Sequence, residues 1–113
     1  MLRDFRRFVC FVVNFAQTTY NAALNKTAYQ SSVFNWKGKL LSAHLANDGS
    51  RETIAFRGGV PRCSISQSET NPWWAVDLER PTEVYAVNFT NRDGGAGMKN
   101  TSLFRIYLFY LSI

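Results

Sequence analysis

The chain has 113 residues, of which 46% are hydrophobic and 15% aromatic. This length and composition indicate one globular domain and exclude both a multidomain chain and a disordered one. The net charge of +5 is not concentrated, because residues 1–7 contribute +2 and the remaining +3 is spread singly along the chain. Scattered cations do not form the aromatic-lined basic groove of a nucleic-acid-binding protein, so we predict no nucleic-acid partner.

Residues 1–18 have the layout of a secretory signal peptide, with basic residues followed by an apolar run from Phe8 to Ala16. The run is too short to span a bilayer, so we expect a secreted protein without membrane insertion. The alternative interpretation is a buried first strand. If the leader is removed, Cys10 is lost with it and Cys63 is left unpaired.

The rest of the chain consists of short strand-like runs without helical spacing, which predicts an all-β domain. Residues 21–32 (NAALNKTAYQSS) and 43–50 (AHLANDGS) are interpreted as β structure linked by loops, the second ending in an Asp-Gly turn. Residues 57–63 (RGGVPRC) are predicted to form a loop rich in glycine and proline.

Three more strands are predicted in the C-terminal half. WWAVDL is the first, EVYAVNFTNR (83–92) the second, and a last strand lies within 102–113 after a DGGAG turn. In the first of these, Trp74, Val76 and Leu78 share one face, while Trp73, Ala75 and Asp77 share the other, since alternate side chains leave a strand on opposite sides. One face is therefore core.

The order of NAALNKTAYQSS, AHLANDGS, a cysteine before NPWWAVDL, and VYAVNFTNR resembles the F-type lectins, or fucolectins, and more distantly the discoidin domains. The resemblance spans about residues 21–106. It implies a secreted jelly-roll β-sandwich (galactose-binding-domain-like) that associates with calcium and binds fucose on glycans. Within it, Trp74, Val76 and Leu78 fill the space between two sheets and Trp73 closes one end, so both tryptophans are structural.

The sugar site that the resemblance implies is only partly present. Arg92 and Lys99 match the two basic positions of the family, and such cations suit charge-assisted hydrogen bonds to sugar oxygens. Ile65 stands where the family has a histidine, and Gly94 and the Gly95-Ala96 pair replace its aspartate and adjacent cysteines. We therefore expect a degraded site.

Each remaining sugar-site residue also has a simpler interpretation. Phe56 either packs on the methyl group of fucose or belongs to the core or its rim. Arg92 either contacts sugar or is a solvated strand end, and for Lys99 the solvated interpretation is favoured. Losing one hydrogen bond to an uncharged hydroxyl weakens binding by roughly 0.5 to 1.5 kcal/mol.

Calcium is the cofactor that the resemblance implies. Asp48 matches a carboxylate ligand of the family, and the backbone carbonyls of Leu45, Ser50 and Arg62 are the further candidates. Other ligands, and a partner for Cys63, come in the family from a later strand that has no counterpart here. The alternative for Asp48 is an ordinary Asp-Gly turn.

An enzyme is not predicted. His44 is the only histidine and does not match the family's spacing, so we interpret it as a polar turn residue. No Ser, His and Asp grouping occurs in a motif context. Three sequons, at Asn25, Asn88 and Asn100, are compatible with a secreted glycoprotein.

The resemblance ends near residue 106, so residues 19–106 are interpreted as a partial F-type lectin domain and 107–113 as a divergent apolar tail. A sandwich without its last strands exposes edges and apolar surface. We expect marginal stability and association between chains, which leaves a homo-oligomer open. The predicted function is binding of fucose-type glycans, and the rival is a structural or protein-interaction β-sandwich that no longer binds sugar.

Overall fold

A computed structural model describes residues 8–15, 18–50, 54–84, 86–90 and 105–110, with side chains for 21–50, 54–84, 86–87 and 105–110. These residues form eleven short strands and one 3₁₀ helix, and no α-helix occurs within these ranges. The predicted all-β class is confirmed. The strands are β1 (Phe8–Phe15), β2 (Thr18–Asn21), β3 (Ala28–Gln30), β4 (Phe34–Trp36), β5 (Lys39–Leu41), β6 (Phe56–Arg57), β7 (Val60–Pro61), β8 (Ser64–Ile65), β9 (Trp73–Asp77), β10 (Ala86–Thr90) and β11 (Arg105–Phe109).

The first sheet is built around β1. This strand pairs antiparallel with β10 over residues 10–14 and 86–90, and it also pairs with β2 and β8. The apolar run that begins at Phe8 therefore forms a first strand, as the alternative to a signal peptide expects. Export of the chain stays a prediction.

The second sheet has β9 at its centre, between β3 and β11. β3 pairs with β9 antiparallel, whereas β11 pairs with it in parallel, with Ile106 opposite Trp74. The predicted last strand is thus confirmed, but the sheet is mixed, not antiparallel throughout. β11 runs across residues 106 and 107, where the predicted domain ended and the apolar tail began.

The predicted core face of β9 is confirmed. Trp74, Val76 and Leu78 are 1%, 0% and 6% exposed. They pack with three small residues that lie outside the sheet, Ala23, Ala43 and Ala46. The indole N–H of Trp74 donates to the backbone carbonyl of Ala43 at 2.9 Å, so the polar atom of this large buried ring is satisfied.

A second buried cluster consists of Leu41, Ala55, Cys63 and Ile65. Cys63 is fully buried and is disulfide-bonded. The prediction that Cys63 is unpaired is therefore wrong. Since β1 lies in a sheet with β8, which follows Cys63 directly, the N-terminal segment and this cluster belong to one unit of the fold.

Two tight hairpins were not predicted as such. β4 and β5 are joined by Lys37 and Gly38, with φ of 51° and 84°, and β6 and β7 by Gly58 and Gly59, with φ of 58° and 78°. Positive φ at both central residues is typical of the two-residue type I′ hairpin turn. The RGGVPRC segment is thus part of a hairpin, not only a loop.

The AHLANDGS segment also differs from its prediction. Ala43–Ala46 form a 3₁₀ helix, in which Ala43 and Ala46 both face the core because side chains three residues apart align in such a helix. His44 is exposed on this helix, as a polar surface residue. The helix places Ala43 and Ala46 against Trp74, and the Asp48 turn follows it in the chain.

Candidate functional site

The structure describes two of the four residues that the sequence analysis assigned to the sugar-site positions. Phe56 and Ile65 lie together at the second buried cluster, where Phe56 is half-buried at its margin and Ile65 is 4% exposed within it. Arg92 and Lys99, with Gly94, Gly95 and Ala96, lie outside the described residues. Their sugar-binding roles stay predictions.

Ile65 is a core residue, not a surface residue. Its side chain packs with Leu41, Ala55 and Cys63, and its backbone carbonyl accepts a hydrogen bond from Gln30 Nε2 at 3.0 Å. The position therefore offers no polar group to a ligand. Phe56, at the margin of the same cluster, remains accessible in part.

Gln30 is the main polar link between the elements near Phe56, and sequence reasoning missed it. Its Nε2 donates to the carbonyls of Ser32, Ile65 and Leu41 at 2.6, 3.0 and 3.3 Å. Its Oε1 accepts from the hydroxyl of Ser64, which is 2% exposed. One amide thus joins β3, β5 and β8.

The two serines after Gln30 form a second network. Both hydroxyls donate to the same carboxylate oxygen of Glu69, that of Ser31 at 2.9 Å. Ser31 Oγ also accepts from the N–H of Trp73 at 3.0 Å, and Ser32 Oγ from the N–H of Gln67 at 2.9 Å. The QSS segment therefore fixes both the start of β9 and the chain between β8 and β9. The sequence signal was the serine pair itself, which lies in a segment that we interpreted only as β structure linked by loops.

Phe56 has an aromatic neighbour on the adjacent hairpin. The ring centroids of Trp36 and Phe56 are 6.4 Å apart with planes tilted by 50°. Trp36 is 46% exposed, and the ammonium of Lys37 lies 5.2 Å from its ring centroid, a cation–π distance. The Lys39 ammonium donates to the carbonyl of Gly59, which ties the two hairpins together. We call Trp36, Lys37, Lys39 and Phe56 the hairpin platform.

The predicted calcium ligands lie in two segments. Asp48 is exposed, and its Oδ1 accepts from the backbone N–H of Ser50 at 2.9 Å, which is the Asx turn of the alternative interpretation. Within the described part of the chain, no group of three or more His, Cys, Asp or Glu side chains is placed to hold a metal ion. The Asp48 carboxylate and the three backbone carbonyls of Leu45, Ser50 and Arg62 together supply fewer oxygens than the roughly six to eight that Ca²⁺ takes. These residues alone do not complete a calcium site.

Asn47, next to Asp48, was missed by sequence reasoning. It is 1% exposed, and its Nδ2 donates to the carbonyls of Ala23 and Lys26 at 2.7 and 2.9 Å. The backbone carbonyl of Asn47 accepts a hydrogen bond from the backbone N–H of Asn25 at 2.8 Å. Asn47 therefore holds the 23–26 segment against the 3₁₀ helix, while its Oδ1 is buried without a hydrogen-bond partner among the described residues.

The face of β9 opposite the core is aromatic. Trp73 is 36% exposed and lies edge-on to Tyr107, with the ring centroids 6.4 Å apart. The ring centroids of Tyr29 and Phe109 are 6.2 Å apart. Between these rings lies Ala75, which is only 6% exposed. Trp73 is thus on the outer face of the sheet and not enclosed at one end of a sandwich, which corrects that prediction. We call Tyr29, Trp73, Tyr107 and Phe109 the outer aromatic face.

Residues 45–109, more than half of the chain, match the family described as NedA-like, galactose-binding domain, of the F5/F8 type C group. The chain belongs to this family. A fucolectin of Anguilla anguilla is 32% identical over 87 residues, which cover 71% of this chain and 49% of that protein. The chain thus spans about half the length of this curated relative, and the likeness supports a fucolectin-like domain. No solved structure matches the chain with significance.

The galactose-binding-like domain found here contains the strand β9 and most of the second sheet. Its matched segment extends to Phe109, past residue 106 where the resemblance first noted from the motifs ended. Among the described residues, no helix is long and apolar enough to cross a membrane.

Proposed function

We propose that this galactose-binding-like domain is a carbohydrate-binding lectin domain of the fucose type, with a reduced sugar site. The likeness to a fucolectin over 71% of the chain carries the proposal. The buried indole of Trp74 supports it, because this core holds the strand that the family shares. Phe56 supports it too, since a half-buried ring at the margin of the core is suited to pack on the apolar side of a sugar.

In this proposal Arg92 donates charge-assisted hydrogen bonds to sugar oxygens and Lys99 adds a second cation without the bidentate geometry of arginine. Phe56 contacts the methyl group of fucose. Ile65 contributes no donor, because its side chain is inside the core. The loss of one neutral hydrogen bond reduces affinity by about tenfold at the upper end of the usual range.

A glycan array followed by calorimetry tests the proposal. We expect fucosylated oligosaccharides among the hits, and Arg92→Ala should abolish that binding. Arg80→Ala is the matched control, because Arg80 is an exposed arginine near the end of β9. A blank array with a folded protein, or binding that survives Arg92→Ala, would contradict the proposal.

We propose that calcium associates weakly, through Asp48 and the carbonyls of Leu45, Ser50 and Arg62. The support for this site is that Asp48 matches a carboxylate position of the F-type lectins. We expect weak binding because Asp48 is the only carboxylate among these four residues. Titration with Ca²⁺ alone, followed by calorimetry, should show binding that Asp48→Asn removes. Equal heats for the wild type and the variant would contradict a calcium site at this position.

We propose further that the protein is a secreted glycoprotein that acts by binding, without catalysis. The disulfide bond of Cys63 supports secretion, because disulfides persist in oxidising compartments. Asn25 supports glycosylation because its side chain is exposed in the loop before β3. Expression in a secretory cell line, followed by glycosidase treatment and mass measurement, tests both. Retention of an unmodified chain inside the cells would contradict them.

One observation favours the rival, a protein-interaction module. The outer aromatic face leaves three large rings partly exposed, with Arg105 at one end of the face and Asp77 at the other, opposite Trp73 and Phe109 respectively. We infer that the occupant of this face is a second copy of the chain. A two-fold axis over Ala75 stacks the rings of both copies and places each Arg105 near the Asp77 of the other copy.

Sedimentation at several protein concentrations tests self-association. We expect a monomer–dimer equilibrium that Tyr107→Lys shifts to monomer, because a buried charge opposes stacking of the face. Lys37→Asn is the control, because it changes a lysine in the turn of a hairpin that contains none of the four rings of this face. A monomer at every concentration would contradict the dimer and leave the lectin proposal unaffected.

A further inference from the structure

We propose that the hairpin platform is a second subsite, which binds an anionic sugar unit next to the sugar site of the proposed function. This inference rests on that function for its ligand class and on the platform for its location. It extends the predicted site because Phe56 belongs to both.

The platform combines an aromatic surface with positive charge. Trp36 is 46% exposed, and Phe56 lies against it with a 50° tilt, so the two rings form a shallow, open angle. Aromatic rings present a large apolar area at low conformational cost, which suits the C–H face of a sugar ring. The type I′ turns hold both rings on short strands, so the surface is preorganised.

The charge of the two hairpins has one sign. Residues 34–41 and 56–61 contain Lys37, Lys39 and Arg57 and no aspartate or glutamate. Lys37 lies over the Trp36 ring, and Lys39 faces the same side of its hairpin as Trp36, since the two are paired across the strands. A sulfate or carboxylate on a sugar stacked at Trp36 is therefore near two ammonium groups. Exposed pairs of this kind, together with stacking, give roughly tenfold tighter binding in all.

A lipid surface fits the platform less well. The tips of the hairpins, which would enter a bilayer first, are Lys37-Gly38 and Gly58-Gly59. None of these four residues has an apolar side chain. Trp36 directly precedes its turn, but its ring lies against Phe56 of the neighbouring hairpin. The aromatic surface therefore extends across the two hairpins, and a surface of that form contacts a ligand that lies along it.

The experiment compares one fucosylated oligosaccharide in neutral, sulfated and sialylated forms, plus a sulfated oligosaccharide without fucose, by calorimetry at low and high salt. We expect an anionic form to bind about tenfold more tightly than the neutral form at low salt, and less so at high salt. Trp36→Ala and Lys37→Asn should remove this advantage. Asparagine keeps the positive φ that the turn needs, so the second variant changes charge with little effect on the backbone.

Trp73→Ala and Lys26→Asn are the matched controls, because they remove an exposed tryptophan and a partly exposed lysine elsewhere in the fold. They should leave the anionic advantage unchanged. Equal affinity for neutral and anionic forms, or an advantage that survives Trp36→Ala, overturns the inference. So does binding of anionic phosphatidylserine vesicles through Trp36 without binding of any glycan.

Failure of the proposed function has a different outcome. If neutral fucosylated glycans do not bind but the sulfated oligosaccharide without fucose binds and depends on Trp36, the platform stands and the fucose site is wrong. If no glycan of either kind binds the folded protein, both are wrong. The melting temperature of each variant should lie within a few degrees of that of the wild type. Loss of binding in such a variant is then not caused by loss of the fold.

Discussion

Replacing Gln30 by methionine should destabilise the fold far more than the same replacement at Gln67. Methionine has nearly the same length and shape as glutamine but cannot donate or accept these hydrogen bonds. Gln30 Nε2 serves three carbonyls and its Oε1 accepts from the buried hydroxyl of Ser64. Gln67 donates from its side chain to one exposed carbonyl, that of Val33, at 3.2 Å.

The magnitude follows from counting groups that lose a partner. Two hydrogens on Nε2 serve three carbonyls, so the contact to Leu41 at 3.3 Å is at most a shared bond. Two N–H bonds and one hydroxyl bond remain, each worth about 1 kcal/mol, with a larger penalty for groups left buried. We therefore expect a loss of about 3 kcal/mol, which lowers the melting temperature by roughly 10 to 20 °C in a domain of this size.

Circular dichroism melts and urea titrations of the wild type, Gln30→Met and Gln67→Met measure this difference. Gln67→Met should remain within about 0.5 kcal/mol of the wild type, as exposed substitutions usually do. If Gln30→Met does not fold, Ser64→Ala removes only the hydroxyl bond to Gln30 Oε1 and should give a smaller loss. Melting of Gln30→Met within about 3 °C of the wild type would refute the reasoning, because the network would then contribute less than one net hydrogen bond.

Three further predictions concern buried groups. Trp74→Phe leaves the Ala43 carbonyl without its indole donor and opens a small cavity. The free energy of unfolding, measured by urea titration, should therefore fall by about 2 to 4 kcal/mol. An unchanged urea midpoint would count against this prediction. Asn47→Ala should lose about 1 to 3 kcal/mol by the same assay, with Asn35→Ala, on an exposed hairpin, as the comparison. Alkylation under denaturing, non-reducing conditions should leave Cys63 unlabelled, while reduction should expose it and lower the melting temperature; labelling without reductant would show that it is free.

The sequence predicted β9 and its core face correctly because one local rule decides both. Alternate side chains of a strand lie on opposite faces, and a tryptophan, a valine and a leucine at every second position form a core wherever the strand is placed. The outer face could not be predicted in the same way. Trp73 lies edge-on to Tyr107, and Ala75 lies between Tyr107 and Tyr29. Both tyrosines come from strands far away in the sequence, and one of these strands pairs in parallel.

The polar contacts were the least predictable part. Gln30 and Asn47 are ordinary polar residues in the sequence, and only the fold shows that each satisfies carbonyls from two or more segments. The state of Cys63 was mispredicted for a related reason. The inference depended on removal of residues 1–18, whereas the structure includes Phe8–Phe15 as a strand paired with β8 and β10.

The burial of Ile65 bears on the proposed hairpin platform, because the resemblance to F-type lectins implies a histidine at this position and Ile65 is 4% exposed. A polar ring at position 65 would stand among Leu41, Ala55 and Cys63, where an unpaired polar group costs about 1 to 3 kcal/mol. In this chain, position 65 therefore stabilises the core, and a donor cannot be restored there by a simple exchange. Any sugar affinity must come from groups that face solvent. Within the described part of the chain, the solvent-facing groups near Phe56 include Trp36, Lys37 and Lys39, which provide an apolar ring and two cations. A site of this composition selects a ligand by charge and flat apolar area more than by the direction of one hydroxyl group, which is why its ligand should be an anionic sugar.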